Sequence, residues 1–386
     1  MEDTWNNIKD SIIGKKGLLS IGFADIVGSA ISGLFWLYIA SQVNPDVFGE
    51  LIYFISIAGL AQLVSLIGSS NALTVYTAKN VKIQSTLFLI SILATAISLA
   101  TITIFYNRID AGLLAVGFVL FSLVNSVILG NKLFVKYSKL VLSQKILTLI
   151  LGLGLYFVFD VYGIIYGLAL SYIPHLVIFV KEFSRTKIDF TLLKTRKGFI
   201  INNYVMNLTA GLGGTVDKLI IAPLLGFALL GNYGLALQVV SLLIIPSQIF
   251  YKYILPEESK GNIQTKLKLI ALVISIGLAV LGYFLSPWFI TSFFPKFTEV
   301  LDAIQIMSFW VIPGTIVILY QTTFLAQEKS RFVLIGNIIS LSIIVSGMII
   351  LGQYFGMVGL AITYVLSFSI EAMFCFIVNR KYMGKT

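Results

Sequence analysis

Long apolar stretches constrain this chain most strongly. A helix needs about 20 mostly apolar residues to cross the roughly 30 Å hydrocarbon core of a bilayer. Twelve such stretches follow one another in the sequence, at 17–41, 47–66, 85–106, 111–130, 140–159, 161–180, 198–223, 229–251, 267–285, 301–325, 332–351 and 356–378. With 58% hydrophobic and only 11% charged residues, the composition excludes a soluble enzyme or binding domain. The sequence therefore predicts an all-α integral membrane protein with twelve transmembrane helices.

Basic residues are distributed unequally between the two sides of the predicted membrane. If the N-terminus lies inside, 24 of the 27 lysines and arginines lie on that side, and the exceptions are Arg108, Lys296 and Lys218. Because positively charged loops face the cytoplasm, we expect a multi-pass protein of the plasma (inner) membrane with both termini cytoplasmic. The net charge of +10 then reflects topology and gives no support for a nucleic-acid partner.

Weak internal symmetry relates the two halves of the chain. An offset of 192 pairs Ser138-Lys139 with Ser330-Arg331, and an offset of 182 pairs Gly49 with Gly231, which we interpret as structural glycines. Duplicated bundles are common in transporters, although apolar helices also resemble one another by chance. We expect two six-helix lobes related by a pseudo-two-fold axis along the membrane normal. The predicted divisions are a cytoplasmic N-terminal segment 1–16, lobes 17–180 and 198–379, a basic cytoplasmic linker 181–197 and a tail 380–386.

The residues needed for soluble catalysis or metal binding are missing from the sequence. A single cysteine, Cys375, and a single histidine, His175, cannot build a multi-thiolate or multi-histidine metal site. The sequence contains no phosphate-cradling glycine loop with lysine, and no nucleophile with a base. We therefore predict no catalytic residue, no cofactor and no resident metal.

Three ionisable residues inside the apolar stretches are candidates for ion coupling. A charged side chain at membrane depth costs about 2.5–3.5 kcal/mol on insertion scales, so it usually faces a cavity or a partner. Asp25, His175 and Glu371 are all expected in the inner third of the membrane. For Asp25 a buried structural carboxylate is an equal alternative, and for His175, which follows Pro174, a helix-to-helix hydrogen bond is the favoured alternative.

A second group of polar residues is predicted to line a central cavity. Lys218 can bind a lipid-linked phosphate or sugar acid. Alternatively, it can extend to the outer interface while its neighbour Asp217 caps or contacts a neighbouring helix. The two side chains are expected to point about 100° apart. Lys145 can reach the cavity or the inner surface. Neutral amides that suit sugar hydroxyls, but also join helices, complete the set: Asn203, Asn207 and Gln238.

Five short segments carry a family resemblance that extends over essentially the whole chain. They are NPDVFG at 44–49, VDKLII at 216–221, LGNYGLALQ at 230–238, QEKSRFVLIGN at 327–337 and GMVGLA at 356–361. In this order, and with twelve helices, the sequence resembles the polysaccharide-unit flippases of the multidrug/oligosaccharidyl-lipid/polysaccharide exporter superfamily.

The resemblance implies a transporter that moves a polyprenyl-linked oligosaccharide from the cytoplasmic to the outer leaflet by alternating access. It also implies a proton or sodium ion as possible coupling partner, and glycan-assembly proteins as possible neighbours. A multidrug and toxin exporter of the same superfamily is the main alternative. A membrane glycosyltransferase or polysaccharide polymerase is disfavoured because the predicted outer loops are short.

Overall fold

The protein is helical throughout the part that the structure describes. The computed structural model describes residues 2–259, 262–297 and 299–382, with the side chains of 2–19, 210 and 256 outside the description. Part of the predicted tail, 383–386, therefore lies outside the described residues. Sixteen helices occupy this part of the chain: α1 (Glu2–Gln42), α2 (Pro45–Leu66), α3 (Ser69–Ala78), α4 (Gln84–Tyr106), α5 (Ile109–Gly130), α6 (Phe134–Phe159), α7 (Val161–Leu170), α8 (Ile173–Phe183), α9 (Phe190–Leu212), α10 (Val216–Leu225), α11 (Phe227–Leu243), α12 (Ile245–Ser259), α13 (Thr265–Phe293), α14 (Val300–Ser308), α15 (Val311–Ala326) and α16 (Ser330–Tyr382).

Most of these helices are long and apolar enough to cross a membrane. Eight spans pass by length and composition among the described residues, and two bent helix pairs, α11 with α12 and α14 with α15, raise the number to ten. The 53-residue α16 contains a non-helical residue, Gly356, that separates two segments of 26 residues each. Each of the twelve predicted stretches thus corresponds to a helix, a helix pair or one half of α16. The predicted all-α, multi-pass membrane fold is confirmed.

Several boundaries differ from the sequence expectation. The backbone of α1 is helical from Glu2, so the predicted N-terminal segment 1–16 continues into the first span without a break. The second span is followed by the short helix α3, which begins beyond Gly68 in a left-handed conformation (φ 73°). The seventh stretch is divided between α9 and α10, and Asp217 lies in the first turn of α10. Glycine at position 68 adopts this left-handed conformation without a steric penalty, because it has no Cβ.

The chain forms two compact units. The first unit contains residues up to Phe35 and from Ile57 to Leu208, and the second contains Trp36 to Ser56 and residues from Thr209 onwards. In the first unit, a core cluster includes the stacked rings of Phe88 and Phe179, whose centroids are 4.7 Å apart. The second unit contains a smaller cluster around Phe324 and Phe332, and Cys375 is buried in it as a core residue.

The same backbone conformations with positive φ recur at matching places in the two halves of the chain, and they define the offset of the internal duplication there. Lys132 and Glu328 have φ of 57° and 59° at the end of α5 and α15, and Asp160 and Gly356 have φ of 56° and 54° between the following helices. Both pairs are 196 positions apart. The sequence offset of 192 in this region was therefore wrong by four residues, because a shift of about one helical turn of 3.6 residues preserves an apolar pattern.

Close helix contacts in the second unit depend on glycine at Gly49 and Gly231. A Cβ at Gly49 would lie 1.9 Å from the carbonyl oxygen of Phe227, and a Cβ at Gly231 would lie 1.9 Å from that of Pro45. Helices α2 and α11 therefore meet at equivalent positions, 182 residues apart, at a distance that excludes any side chain.

Candidate functional site

A cavity of about 380 Å³ in the second unit is lined by three of the polar residues that the sequence analysis singled out. We call it the Lys218 pocket. It is defined by Trp36, Phe48, Ile52, Ile55, Ser56, Gly213, Gly214, Asp217, Lys218, Gly234, Leu237, Gln238, Val240, Ser241, Trp310 and Tyr364. The break between α9 and α10 at Gly213–Thr215 turns the chain here, so the first turn of α10 faces the cavity. Three predicted residues, Asp217, Lys218 and Gln238, are thus brought together.

Asp217 and Lys218 form an ion pair beside this cavity. The Nζ atom of Lys218 lies 3.1 Å from Oδ1 and 3.2 Å from Oδ2 of Asp217, and it donates to the carbonyl of Gly214 at 2.8 Å. The expectation that the two side chains point apart was wrong. The 100° separation holds for the Cβ atoms, but the long lysine side chain bends back to the preceding carboxylate.

The carboxylate of Asp217 is the buried member of the pair. Its side chain is 3% exposed, whereas that of Lys218 is 20% exposed. Tyr233 of α11 donates its hydroxyl to Oδ2 of Asp217 at 2.9 Å, so Asp217 also links α10 to α11. Because its negative charge is compensated by a cation and a hydroxyl donor, the accessible ionic group of the pocket is the ammonium.

Aromatic rings form one wall of the Lys218 pocket. The centroid of the Trp310 ring lies 5.3 Å from that of Tyr364, which lies 6.4 Å from Tyr233. A second aromatic pair comes from α1 and α2, where Trp36 packs edge-on against Phe48 with ring centroids 6.2 Å apart. The sequence analysis missed Trp310, Tyr364 and Tyr233 as site residues, because isolated aromatic residues in apolar helices carry no spacing signal.

The amides Asn203 and Asn207 lie in the first unit. Both accept hydrogen bonds from Nδ2 of Asn71 on α3, at 3.2 and 3.1 Å. Asn203 also donates to the carbonyl of Phe199. The two predicted cavity amides therefore join α9 to α3, and Asn71 is a third member of this cluster that the sequence did not reveal.

In the first unit, the side chain of Lys145 on α6 contacts α1, the helix that carries Asp25. The side chain of Lys145 packs on Gly28, where a Cβ would lie 3.3 Å from its Cγ. Gly28 is one turn from Asp25 on the same face of α1. Asp25 also interacts electrostatically with Tyr137 of α6. The Lys145 side chain is thus directed at the face of α1 that carries the predicted coupling carboxylate.

Glu371 is buried in a network of neutral donors in the second unit. It is 2% exposed, accepts a hydrogen bond from Nε2 of Gln321 at 3.2 Å and one from the hydroxyl of Ser340. Gln321 also donates to Asn337 at 3.3 Å. The carboxyl group thus gains the partners that the sequence could not name, contributed by α15 and the first half of α16.

His175 is fully buried in the first unit, at 0% exposure. Its ring lies 5.0 Å from Phe121 and 5.8 Å from Tyr172, centroid to centroid. Neither ring nitrogen has a hydrogen-bond partner in the part of the chain that the structure describes. The favoured expectation of a helix-to-helix hydrogen bond was therefore wrong, although the chain does break just before Pro174, between α7 and α8.

A larger cavity of about 890 Å³ lies between α13, α15 and the end of α16 in the second unit. Its walls are mostly apolar, with Leu272, Leu319 and Phe376 among them. At one end, Lys268 forms an ion pair with Glu258 at 2.5 Å and donates to Thr323 at 2.8 Å. We call this cavity the apolar groove, because it combines a long apolar surface with a polar end.

Comparison with known proteins identifies the fold. No family model and no curated protein sequence matches the chain. Among solved structures, the lipid II flippase MurJ in an inward closed conformation is similar with a TM-score of 0.75 and 13% identity, over 94% of this chain and 87% of that chain. An inward-facing multidrug resistance MATE family transporter of the MOP superfamily is similar with a TM-score of 0.71 and 15% identity, over 92% and 94%. The chain has the MOP-superfamily transporter fold.

A third structure shows that this fold accommodates pockets of different polarity. It is a MOP-superfamily transporter from Pyrococcus furiosus, described as having a binding pocket of reverse polarity that suggests a different function. It is similar with a TM-score of 0.63 and 14% identity, over 96% of each chain. The superfamily named by the sequence resemblance thus agrees with the fold. The polysaccharide-unit subfamily stays a prediction.

Proposed function

We propose that this protein is a flippase that moves a polyprenyl-linked oligosaccharide across the plasma membrane by alternating access, with its termini in the cytoplasm. The observation that carries the proposal is the Lys218 pocket. Its accessible ionic group is a lysine ammonium, a common partner of phosphate. Gln238, Ser241 and the rings of Trp310 and Tyr364 provide the amide, hydroxyl and aromatic surfaces that suit a glycan.

The apolar groove between α13, α15 and α16 supports a lipid-linked substrate. A polyprenyl chain needs an apolar surface, and the groove supplies one that ends in polar side chains. The similarity to a lipid II flippase is in keeping with such a substrate. Membrane lipids are the alternative occupants of the groove, and glycan-assembly proteins remain proposed partners.

Multidrug export is the second candidate, because several similar structures are multidrug transporters and because Asp217 provides a carboxylate in the pocket. An organic cation would need that carboxylate. Asp217 is, however, 2% exposed and already paired with Lys218 and Tyr233. We therefore favour a substrate with negative charge over one with positive charge.

Ion coupling is proposed at Asp25 and Glu371, with a proton or a sodium ion as the coupling ion. Glu371 is buried among neutral donors, which leaves its carboxyl group free to change its charge state without breaking an ion pair. Asp25 lies on the face of α1 that Lys145 covers. Neither ring nitrogen of His175 has a hydrogen-bond partner in the described part of the chain. We therefore assign ion coupling to the two carboxylates and not to His175.

Substitution of Lys218 tests the proposed site. In cells that depend on the protein, we expect Lys218→Arg to retain glycan export and Lys218→Gln to lose most of it, with complete lipid-linked units accumulating. Removing one member of a buried pair costs about 3–5 kcal/mol of stability, so the double variant Asp217→Asn with Lys218→Gln separates folding from binding. We expect this variant to be produced normally and to stay inactive.

Lys296→Gln provides the control. Lys296 is also a lysine of the second unit, it donates to the carbonyl of Gln42 at 2.8 Å, and it lines neither the Lys218 pocket nor the apolar groove. We expect it to retain export. Normal export by the double variant, or increased dye resistance with unchanged glycan, would contradict the proposed role of Lys218 and favour multidrug transport.

A further inference from the structure

Five polar atoms in the first unit are buried without a hydrogen-bond partner in the described part of the chain. They are Nδ2 and Oδ1 of Asn125, Oε1 of Gln144, and Nδ1 and Nε2 of His175. The three residues are between 0% and 5% exposed. Buried polar groups without partners are rare and costly, most of all in a membrane-spanning segment, where bulk water does not reach them.

Contacts between three helices place these side chains in one region. Gln144 of α6 donates its amide to Ser171 at 3.0 Å, and Ser171 lies four residues before His175. On α5, Phe121 contacts the His175 ring and lies four residues before Asn125. Residues four apart on a helix are neighbours on one face. Asn125 therefore lies on the face of α5 that Phe121 presents to His175.

The internal duplication gives independent evidence that the three side chains converge. At the offset of 196, Asn125 corresponds to Gln321, Gln144 to Ser340, and His175 to Glu371. In the second unit, Gln321 and Ser340 both donate directly to the carboxylate of Glu371. The same backbone positions in the first unit thus direct three neutral side chains towards one point.

The chemistry of the three side chains selects the ligand. A neutral imidazole has one donor and one acceptor nitrogen, the Asn125 amide has both functions, and the free Gln144 oxygen is an acceptor. A bare cation could bind the acceptors but would face the donors, and an anion would lack a charged partner. Water both donates and accepts, and buried water typically makes two to four such bonds.

We propose that Asn125, Gln144 and His175 form a binding site for one or more buried water molecules in the first unit. The site is the hydrated counterpart of the Glu371 network in the second unit. In this arrangement His175 remains a neutral hydrogen-bonding residue, so the two repeats differ in function. The second unit holds the ionisable carboxylate of Glu371 at the position where the first unit holds the neutral imidazole of His175.

Radiolytic hydroxyl-radical labelling of the purified full-length protein tests this site, because a bound water generates radicals next to the side chains that surround it. Tyr172, whose ring is 5.8 Å from His175, is the reporter. Tyr76 is the matched control, since it is also a tyrosine of the first unit, with 8% exposure against 9% for Tyr172. We expect severalfold faster oxidation of Tyr172 than of Tyr76.

Variants show whether the labelling depends on the proposed ligands. His175→Gln keeps a donor and an acceptor and is expected to retain the fast oxidation of Tyr172. Asn125→Leu removes both functions at its position and is expected to lower the rate to that of Tyr76. Equal rates for the two tyrosines in the unsubstituted protein would overturn the proposal, whether or not either variant folds.

Discussion

Asp160 adopts a backbone conformation that suits glycine. Its φ of 56° and ψ of −149° place the chain in a region that side chains with a Cβ rarely occupy. The equivalent residue in the second half of the chain is Gly356, with φ of 54° and ψ of −130°. Asp160 and Gly356 each connect two antiparallel helices by a single non-helical residue. The close packing of the two connected helices imposes the same backbone geometry on both residues. A Cβ at Gly163 would lie 2.0 Å from the carbonyl oxygen of Leu155.

We expect Asp160→Gly to stabilise the protein. Residues held in such regions cost roughly 1–3 kcal/mol each, and glycine removes this strain, so the free energy of unfolding should rise by about 1 kcal/mol after the entropic cost of glycine is included. Thermal unfolding in detergent measures the change. Asp160→Ala, which keeps a Cβ, is the control and should give no gain. A lower unfolding temperature for Asp160→Gly would show that the side chain of Asp160 contributes more than the backbone strain costs.

Single charged residues were located by the sequence, but their partners were not. Asp217, Lys218 and Glu371 could be recognised because an ionisable side chain is conspicuous in an apolar stretch. Their contacts with Tyr233, Gly214 and Gln321 depend on how helices pack, which spacing along one helix does not determine. His175 shows the same limit, since the neighbours of its ring nitrogens are set by the residues that other helices place around it, and none of those in the described part of the chain is a hydrogen-bond partner.

At the scale of elements, the segment before α9 is held by polar contacts. Ser85 of α4 donates to the carbonyl of Phe183 at 2.6 Å, and the backbone N–H of Asp189 donates to Thr86 at 2.8 Å. The Oδ1 atom of Asp189 then accepts from the backbone N–H of Thr191 at 2.8 Å and of Leu192 at 3.3 Å. This is the geometry of a helix N-cap. The predicted linker 181–197 is thus ordered where it leads into α9.

Hydrogen bonds from the side chain and backbone of Thr191, and from the backbone of Leu192, hold the pKa of Asp189 below its ordinary value. A carboxylate with a lowered pKa stabilises the folded state above its unfolded pKa, near 3.9, and this contribution is lost as pH falls through the lowered folded value. We expect the start of α9 to keep its amide protection at neutral pH and to lose it only in acid.

Hydrogen exchange at Thr191 and Leu192 measures this effect. Asp189→Ala should weaken protection at neutral pH and approach the unsubstituted protein in acid, whereas Asp189→Asn keeps the cap and should show no acid transition of its own. Comparing variants at each pH removes the intrinsic pH dependence of exchange. Unchanged protection in Asp189→Ala would mean that the contacts with α4 alone hold the start of α9.

The existence of the helices was largely predictable, and their interruptions were not. In a bilayer, a stretch of about 20 apolar residues satisfies its backbone hydrogen bonds by forming a helix. All twelve stretches accordingly correspond to helical segments. The short helix α3 depends on the left-handed backbone at Gly68, and the break before α10 depends on a turn at 213–215 that apolar patterning does not reveal. The four-residue error in the repeat offset has a similar cause, because sequence patterns in apolar helices repeat with every turn.

At the scale of the whole molecule, the two halves share backbone geometry but differ in polar chemistry. The second unit holds the Lys218 pocket, the apolar groove and the buried carboxylate of Glu371. The first unit holds the asparagine cluster and the neutral residues around His175. The proposed substrate contacts, the Asp217–Lys218 ion pair and the buried Glu371 carboxylate therefore all lie in the second unit.

Leaflet distribution of lipid-linked glycans is the measurement that tests the proposed function most directly. After deletion of the gene, complete polyprenyl-linked units should accumulate, and they should remain on the cytoplasmic leaflet, inaccessible to a membrane-impermeant reagent outside. Restoring the protein should return them to the outer leaflet. Normal display of the units on the outer leaflet in the deletion strain, together with altered dye resistance, would contradict flipping of a lipid-linked glycan.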